Sequence, residues 1–194
     1  MHPTKARLIE TTSQMLDGAD PQHIRIDDVL ATSGVAKGSL YHHFEDFPEL
    51  LEVTLVFRFG RSVDSTTAIM NDYALASTTK DEFWERMHEV TLLTQNPQLA
   101  HRRAERARTI GMAGSSDRLR ASLAVEQERL TASIVDLIRA AQSKSWVNPS
   151  VDPLALAIFI QAYTLGRAVD DVALTHIDSE VWNGFIRMVT QPLH

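Results

Sequence analysis

The sequence predicts an all-α fold, in which a short N-terminal three-helix domain precedes a larger helical domain. The main observation is the spacing of apolar residues, which recur every three or four positions along most of the 194 residues, as on one face of an α-helix. Helix breakers and capping residues separate these stretches, and no pair of alternating stretches indicates a β-hairpin. With 44% hydrophobic residues, the chain can form an ordinary globular core.

Three short helices are predicted at the N-terminus. Residues 4–17 carry their apolar side chains on one side, and Gly18 and Pro21 then break the helical pattern. The stretch IDDVLATSG, beginning at residue 26, has two aspartates in its first turn and ends in glycine, which favours a helix that stops there. A third helix is expected over about residues 36–43.

The third helix separates an apolar face from a polar face. Ala36, Leu40 and Phe44 are expected to point inward. The outward side offers a cation, a glycine and hydrogen-bonding groups: Lys37, Gly38, Ser39 at the edge, Tyr41 and His42. Two helices joined by a glycine-containing turn form a helix-turn-helix, whose last helix enters the major groove of DNA. Spacing alone is equally compatible with a helical hairpin inside an ordinary bundle.

Longer helices follow, and their N-termini are predicted from capping residues and prolines. The signals are a capping box, an Asn-Pro that precedes an arginine-rich helix, and an Asp-Pro N-cap: Thr79 with Glu82, Asn96-Pro97 and Asp152-Pro153. The remaining helices are expected from Pro48, over about 117–143 and near 179–190.

The helix after Asp152 is apolar nearly all round, although an outer helix of a modest domain needs to bury only one face. The last helix adds further apolar side chains. A second copy of the chain would cover both helices in a four-helix interface. The predicted dimer contacts are Ile158, Ala162, Leu165, Gly166, Val169, Trp182, Phe185 and Ile186.

The charge distribution weighs against a nucleic-acid partner. The net charge of the chain is −6, and residues 1–51 contain four Lys or Arg against eight Asp or Glu, a net charge of −4. A basic patch is the usual electrostatic feature of a DNA-binding domain.

The absence of cysteine excludes disulfides and thiolate metal sites, and no apolar stretch reaches the ~20 residues of a membrane span. We therefore expect a soluble cytoplasmic protein without a membrane partner.

Residues 26–51, IDDVLATSGVAKGSLYHHFEDFPELL, resemble the helix-turn-helix of the TetR/AcrR family of bacterial transcriptional regulators. The shared parts are Ile26-Asp27-Asp28-Val29, Ser33-Gly34-Val35, Lys37-Gly38-Ser39-Leu40-Tyr41, Phe44 and Leu50-Leu51. Residues 52–194 resemble the family in their helical layout and very little in sequence.

The resemblance implies a DNA-binding domain in residues 1–51 and an effector-binding and dimerisation domain in residues 52–194. It implies a homodimeric regulator, most often a repressor, that leaves a double-stranded DNA operator when a small molecule binds. The residues implied in DNA contact are Lys37, Gly38, Ser39, Tyr41 and His42, with Lys5 and Arg25 at the DNA backbone.

Two positions depart from the family pattern. Phe47 stands where the family usually has a lysine that contacts phosphate, and Arg25 stands where it commonly has a capping serine or threonine.

Candidates for the effector pocket are aromatic, methionine and histidine side chains within residues 52–175, although most side chains of this kind simply form core. They are Phe59, Trp84, Met87, His88, Met112, Trp146, Phe159 and Tyr163. Four arginines, Arg102, Arg103, Arg106 and Arg108, are expected on a solvated face. A second hypothesis is that some of these arginines form ion pairs with the acidic first domain and transmit pocket occupancy to the DNA-binding helices. A third hypothesis is that they bind an anionic ligand.

An enzyme and a non-DNA-binding interaction protein are the rival interpretations. Glu85 and His88 have the Glu-x-x-His spacing of helical di-iron sites, but such sites need a second copy and two further glutamates. The sequence has no second copy, no Gly-rich phosphate loop and no nucleophile elbow. We therefore interpret this pair as a surface ion pair or a core histidine, and expect no catalytic activity, metal or cofactor.

Overall fold

The computed structural model describes residues 1–193, and in this part of the chain every regular element is a helix. The all-α prediction is confirmed. The helices are α1 Pro3–Met15, α2 Ile26–Ser33, α3 Lys37–His43, α4 Phe47–Ala76, α5 Lys80–Gln95, α6 Ala100–Ala113, α7 Asp117–Ser143, α8 Pro153–Gly166, α9 Ala168–Asp171 and α10 Ser179–Thr190. Short 3₁₀ turns lie at Pro21–His23, Pro97–Leu99 and Gln191–Leu193.

The chain divides into two compact units. The first unit comprises Met1–Ser62 and Ala113–Glu126, and the second comprises Val63–Met112 and the residues from Gln127 onward. The first unit thus extends past residue 51 and includes the beginning of α7.

Local chemistry sets several helix ends. Gly34 ends α2 with φ +65°, a left-handed conformation that costs a residue with a side chain roughly 1–2 kcal/mol. The Asp152 carboxylate accepts a hydrogen bond from the backbone N–H of Ala155 at 2.8 Å, and Pro153 follows as the first residue of α8. This N-cap satisfies one of the free N–H groups of the first turn.

The capping box of α5 differs in one contact from the predicted form. Thr79 Oγ1 accepts from the backbone N–H of Glu82 at 3.2 Å, as a capping box requires. The Glu82 carboxylate accepts from the backbone N–H and the hydroxyl of Thr78, both at 2.8 Å, and these bonds lower the pKa of Glu82. The cap therefore spans two consecutive threonines.

The core of the first unit fixes the rotation of its short helices. Leu8 of α1, Val29 of α2 and Leu40 of α3 are fully buried, and burial of each side chain stabilises the fold by roughly 1.5–3 kcal/mol. Ala36 is exposed, and the prediction that it points inward is wrong. Ala36 is the extended N-cap of α3, so helical spacing does not apply to it, and Val35 is buried in its place.

In the second unit, α5 packs against both α8 and α10. Trp84 of α5 donates from its indole Nε1 to the backbone carbonyl of Trp146 at 2.8 Å, and Phe83 packs edge-on to Trp84 and against the Trp146 ring. These contacts tie the turn after α7 to α5.

Candidate functional site

The outer face of α3 presents polar groups to solvent. Lys37, Gly38, Tyr41 and His42 are exposed, and Tyr41 exposes 48% of its surface. Ser39 is half-buried at the edge of this face. None of these residues belongs to the core of the first unit, to which the same helix contributes Leu40.

Gly38 lies in the first turn of α3, and its position is open. A Cβ atom at this position would meet no other atom within 4 Å. A glycine in a helix costs roughly 1 kcal/mol relative to alanine, so the packing of the unit gives no reason for glycine here. Its effect is to lower the helix surface so that another molecule can approach the backbone.

Three histidines meet at the end of α3. The ring of His43 lies 4.7 Å from that of His2 and 5.0 Å from that of His42, measured between centroids. Partial burial lowers the pKa of His43, and His2, His42 and Lys5 lower it further. The Lys5 ammonium lies 5.0 Å from the centroid of the Phe44 ring. This cluster could not be predicted from helical spacing, because His2 precedes α1 and is far from His43 in the chain.

The two positions that depart from the TetR pattern have different surroundings. Arg25 is the N-cap of α2, is exposed, and makes no side-chain capping bond. Phe47 is the first residue of α4 and packs against the core of the first unit. Phe47 therefore contributes apolar packing where the family pattern has a cation.

A cluster of acids surrounds Arg118 at the start of α7, within the first unit. Arg118 Nε lies 2.5 Å from Glu52, Nη2 lies 3.2 Å from Asp46, and Nη1 lies 3.6 Å from Glu45. The bond with Glu52 is the main cause of the raised pKa of Arg118. Ser116 Oγ donates to the other oxygen of Glu52 at 2.7 Å. This arrangement, here named the Arg118 cluster, neutralises part of the acidic segment that directly follows α3.

The second unit contains a cavity of about 150 Å³. Its wall is mostly apolar and draws on α4, α5, α6, α7, α8 and α10. Four of the predicted pocket residues line it: Trp84, Met87, His88 and Tyr163. The helices α7 and α8 add aliphatic side chains that were not among the predicted pocket residues: Leu130, Ile134, Leu137, Ile138, Leu156 and Ile160.

The other four predicted pocket residues lie elsewhere. Phe59 is buried in the first unit. Met112, Trp146 and Phe159 are not among the residues that line the cavity. Trp146 packs on Phe83, and Phe159, on the outer side of α8, contacts the ring of Tyr163 at 5.5 Å between centroids. An aromatic residue type alone did not distinguish the cavity wall from core or surface.

The polar residues that line the cavity are Thr66, His88, Thr91, Thr94, Arg106, Gln161, Tyr163, Thr164 and Thr190. The Tyr163 hydroxyl lies 3.1 Å from Thr91 Oγ1, which also bonds to the Met87 carbonyl at 3.1 Å. Burial raises the pKa of Tyr163, so the phenol is uncharged at neutral pH. Arg106 of α6 also lines the cavity, and burial lowers the pKa of its guanidinium. The Arg106 Nε and the Nε2 of His88 are both shielded from solvent.

Arg103 contradicts the prediction that this group of arginines forms a solvated face. Its side chain is 6% exposed and forms two parallel bonds with the Asp171 carboxylate, at 2.6 and 2.7 Å. Nη1 donates to the carbonyls of Thr94 and Asn96 at 2.9 and 3.0 Å. Its partners are thus all in the second unit, and the hypothesis that Arg103 pairs with the acidic first domain is wrong. The pair links α6 to α9.

The predicted dimer contacts are mostly at the surface. Ile158, Ala162, Gly166, Val169 and Phe185 are exposed, while Leu165 and Trp182 are half-buried. The prediction that Ile186 is a dimer contact is wrong, because Ile186 is 3% exposed and lines the cavity of its own chain. The helix α10 turns the opposite side outward, with three apolar residues at helical spacing: Val181, Phe185 and Met188.

The Glu-x-x-His pair of α5 has divergent surroundings. Glu85 is exposed and lies 3.2 Å from Arg187 of α10, whereas the His88 ring packs near Trp84 and lines the cavity. Within residues 1–193, no group of three or more histidine, aspartate or glutamate side chains is arranged to hold a metal ion. None of the helices described is both long enough and apolar enough to cross a membrane.

Comparison with protein-family models finds no match. The chain is similar to the nucleoid occlusion factor SlmA of Alteromonas mediterranea, with 24% identity over 194 residues that cover 96% of this chain and 88% of that protein.

The structure is similar to two solved structures of regulators assigned to the TetR family. One, from Mesorhizobium loti, has a TM-score of 0.72 at 12% identity and matches 97% of this chain and 94% of its own. The other, from a Rhodococcus species, has a TM-score of 0.67 at 20% identity and matches 99% of both chains. The resemblance carried by residues 26–51 is thus confirmed at the level of the fold. The chain has the fold of the TetR-family transcriptional regulators.

Proposed function

We propose that this protein is a dimeric DNA-binding transcriptional regulator, most simply a repressor, that a small molecule releases from its operator. The observation that carries the proposal is the outer face of α3, where Lys37, Tyr41 and His42 are exposed around an open glycine. A helix of this kind fits the major groove, where hydrogen bonds and methyl contacts distinguish bases. Lys37 would contact phosphate, and Tyr41 and His42 would contact phosphate or base edges.

The apolar surface of α8 and α10 supports a homodimer. Val181 and Met188 each expose 62% of their surface, and Ile158 exposes 51%. Several exposed apolar side chains on the same helices favour an association surface. A symmetric dimer would present two α3 helices to two half-sites of a palindromic operator.

The cavity of the second unit supports control by a small molecule. Mostly apolar cavities that also carry polar groups are the usual form of ligand sites in proteins. The helix α7 lines this cavity with Leu130 and Ile134, and its first turns carry the Arg118 cluster. A ligand that shifts α7 would therefore act on the acidic segment after α3.

The test begins with selection of bound duplexes from a random pool, which identifies the operator. We then expect Lys37→Ala and Tyr41→Phe each to weaken operator binding at least about tenfold, the loss of about 1.4 kcal/mol that one phosphate or base contact supplies. Lys144→Ala and Tyr73→Phe are matched controls in the second unit and should bind like the wild type. Unchanged affinity in both α3 variants, or no selected duplex at all, would reject the proposal.

The dimer is tested in the same preparations by light scattering. Phe185→Glu places a charge in the expected interface and should give a monomer with weak operator binding. Leu75→Glu changes an apolar residue that is 84% exposed on α4 and should remain dimeric. A wild-type protein that is monomeric at micromolar concentration would contradict the dimer.

A further inference from the structure

We propose that the cavity of the second unit binds a small uncharged alcohol or phenol, whose hydroxyl donates a hydrogen bond to the oxygen of Tyr163 and whose ring or short chain lies among α5, α7 and α8. This inference rests on the proposed role of the cavity as the effector site, and it specifies the chemical class of the effector.

The size and the wall of the cavity define the apolar part of the ligand. The volume is about 150 Å³. An apolar cavity of roughly this volume, engineered in another protein, accommodates benzene. The aliphatic side chains of Leu130, Ile134 and Ile160 and the ring of Trp84 favour a hydrocarbon over a sugar or a nucleotide, whose hydroxyl and phosphate groups would lose their hydration.

The threonine hydroxyls of the wall have their hydrogens bonded to the backbone. Four of them donate to a carbonyl in the preceding turn of their own helix, at 2.7 to 3.1 Å: Thr91, Thr94, Thr164 and Thr190. A hydroxyl has one hydrogen to donate and two lone pairs that accept. These side chains can therefore accept a hydrogen bond from a ligand, whereas donating to a ligand would break a bond to the backbone.

Tyr163 is the acceptor that we assign to the ligand. Its hydroxyl lies 3.1 Å from Thr91 Oγ1, and because the Thr91 hydrogen is directed to the carbonyl of Met87, the Tyr163 hydroxyl is the donor of this bond. Burial raises the pKa of Tyr163, so the phenol is uncharged at neutral pH. Its oxygen thus keeps a lone pair and has no second hydrogen to offer. A ligand group that bonds to this oxygen has to be a donor.

The charged and titratable groups of the wall favour an uncharged ligand. Among the described residues that line the cavity there is no aspartate or glutamate to balance an ammonium. Arg106 and His88 also line the cavity, but both already interact with other groups of the protein, so neither is assigned to a ligand. Moving a carboxylate or an ammonium from water into a mostly apolar cavity is costly without a dedicated partner. An uncharged hydroxyl needs one acceptor, which Tyr163 offers.

The experiment titrates the purified protein, without DNA, with phenol, toluene and anisole, and follows binding by calorimetry. Phenol and toluene have nearly the same shape and differ in the hydroxyl, while the oxygen of anisole can only accept. A cavity without a partner for the hydroxyl would prefer toluene, because phenol loses more hydration. We expect phenol to bind at least as tightly as toluene and more tightly than anisole. Benzoate and benzylamine, which carry a charge, should bind more weakly than phenol.

The variants test the role of Tyr163. Tyr163→Phe should weaken phenol binding at least about fivefold relative to toluene, because the ligand hydroxyl loses its acceptor. Tyr73→Phe, a matched change on α4 outside the cavity wall, should leave this ratio unchanged. If Tyr163→Phe is unfolded by circular dichroism, Thr91→Val decides, since it removes the acceptor of the Tyr163 hydrogen. The released hydrogen should then raise the affinity for anisole relative to toluene.

Five results would each overturn the inference. In the wild type they are tighter binding of toluene or anisole than of phenol, tighter binding of either charged probe, and no saturation by any probe at about 5 mM. In the variants they are an unchanged phenol-to-toluene ratio in a folded Tyr163→Phe and an unchanged anisole-to-toluene ratio in Thr91→Val.

The result is independent of the DNA experiment. A protein that selects an operator but prefers toluene to phenol refutes the hydroxyl site and leaves the regulator function intact. A protein that binds phenol at Tyr163 but selects no DNA supports the site and refutes the regulator function.

Discussion

The Arg103–Asp171 pair is expected to be a major source of stability in the second unit. Arg103 makes four hydrogen bonds at 2.6 to 3.0 Å, two to Asp171 and two to the backbone carbonyls of Thr94 and Asn96. Removing one partner of a buried ion pair costs about 3–5 kcal/mol, because the other charge stays buried. Arg103→Met should therefore lose about 4 kcal/mol, which lowers the melting temperature of a chain of this length by roughly 8–16 °C.

Thermal unfolding followed by tryptophan fluorescence measures this loss, because all three tryptophans belong to the second unit. The matched control is Arg129→Met, which removes an exposed ion pair with Asp64 and should cost less than about 1 kcal/mol. The double variant Arg103→Met, Asp171→Leu should recover much of the loss, because it leaves no buried charge. The reasoning is refuted if Arg103→Met is no less stable than the Arg129 control.

The stabilisation that the Arg103–Asp171 pair supplies should depend on pH. The bond with Arg103 lowers the pKa of Asp171, so the folded state favours the carboxylate. The resulting stabilisation is present above the unfolded pKa of about 4 and is lost as the pH falls through the lower folded value. In Arg103→Met, the decrease of stability below about pH 5 should therefore be shallower than in the wild type.

Two further predictions concern DNA binding. Operator affinity should increase as the pH falls from about 7.5 to 6, because phosphate stabilises protonated His43. Since burial and the neighbouring cations lower the pKa of His43 in the free protein, His43→Gln should reduce this increase; an unchanged pH profile in gel shifts would contradict it. Arg118→Ala, which releases Glu45, Asp46 and Glu52, should weaken operator binding about threefold to tenfold by repulsion. Arg120→Ala, whose partner is the exposed Asp117, should bind normally, and equal affinities for these two variants would count against the role of Arg118.

The helices could be predicted from the sequence because their signals are local. The bounds of α7 and α10 agree with the predicted 117–143 and 179–190, and Asp152 caps α8 as its Asp-Pro sequence indicates. Each of these signals depends on neighbours within four residues. The prediction that Ala36 points inward was wrong because helical spacing was applied to a residue that precedes the helix.

The cavity and the ion pairs could be predicted only in part because they depend on contacts distant in sequence. Arg103 and Asp171 are 68 residues apart, and Arg118 and Glu52 are 66 apart. Composition indicates that such arginines need partners but does not say which acids they meet. Ile186 shows the related limit for a helix with two apolar sides, where periodicity does not say which side faces the cavity and which faces outward.

The location of the acids, more than their number, decides whether the first unit can approach DNA. The helix α3 itself contains no acidic residue, and its exposed face ends in two histidines. Two acids of the first unit are engaged with other groups, since Asp17 lies 2.7 Å from Arg58 and Asp46 caps α4 through the N–H of Glu49. With few cations on the face, counterion release would contribute little, so hydrogen bonds from α3 would have to supply most of the operator affinity. A surface of this kind gains less from non-specific attraction to DNA and depends more on the correct base sequence.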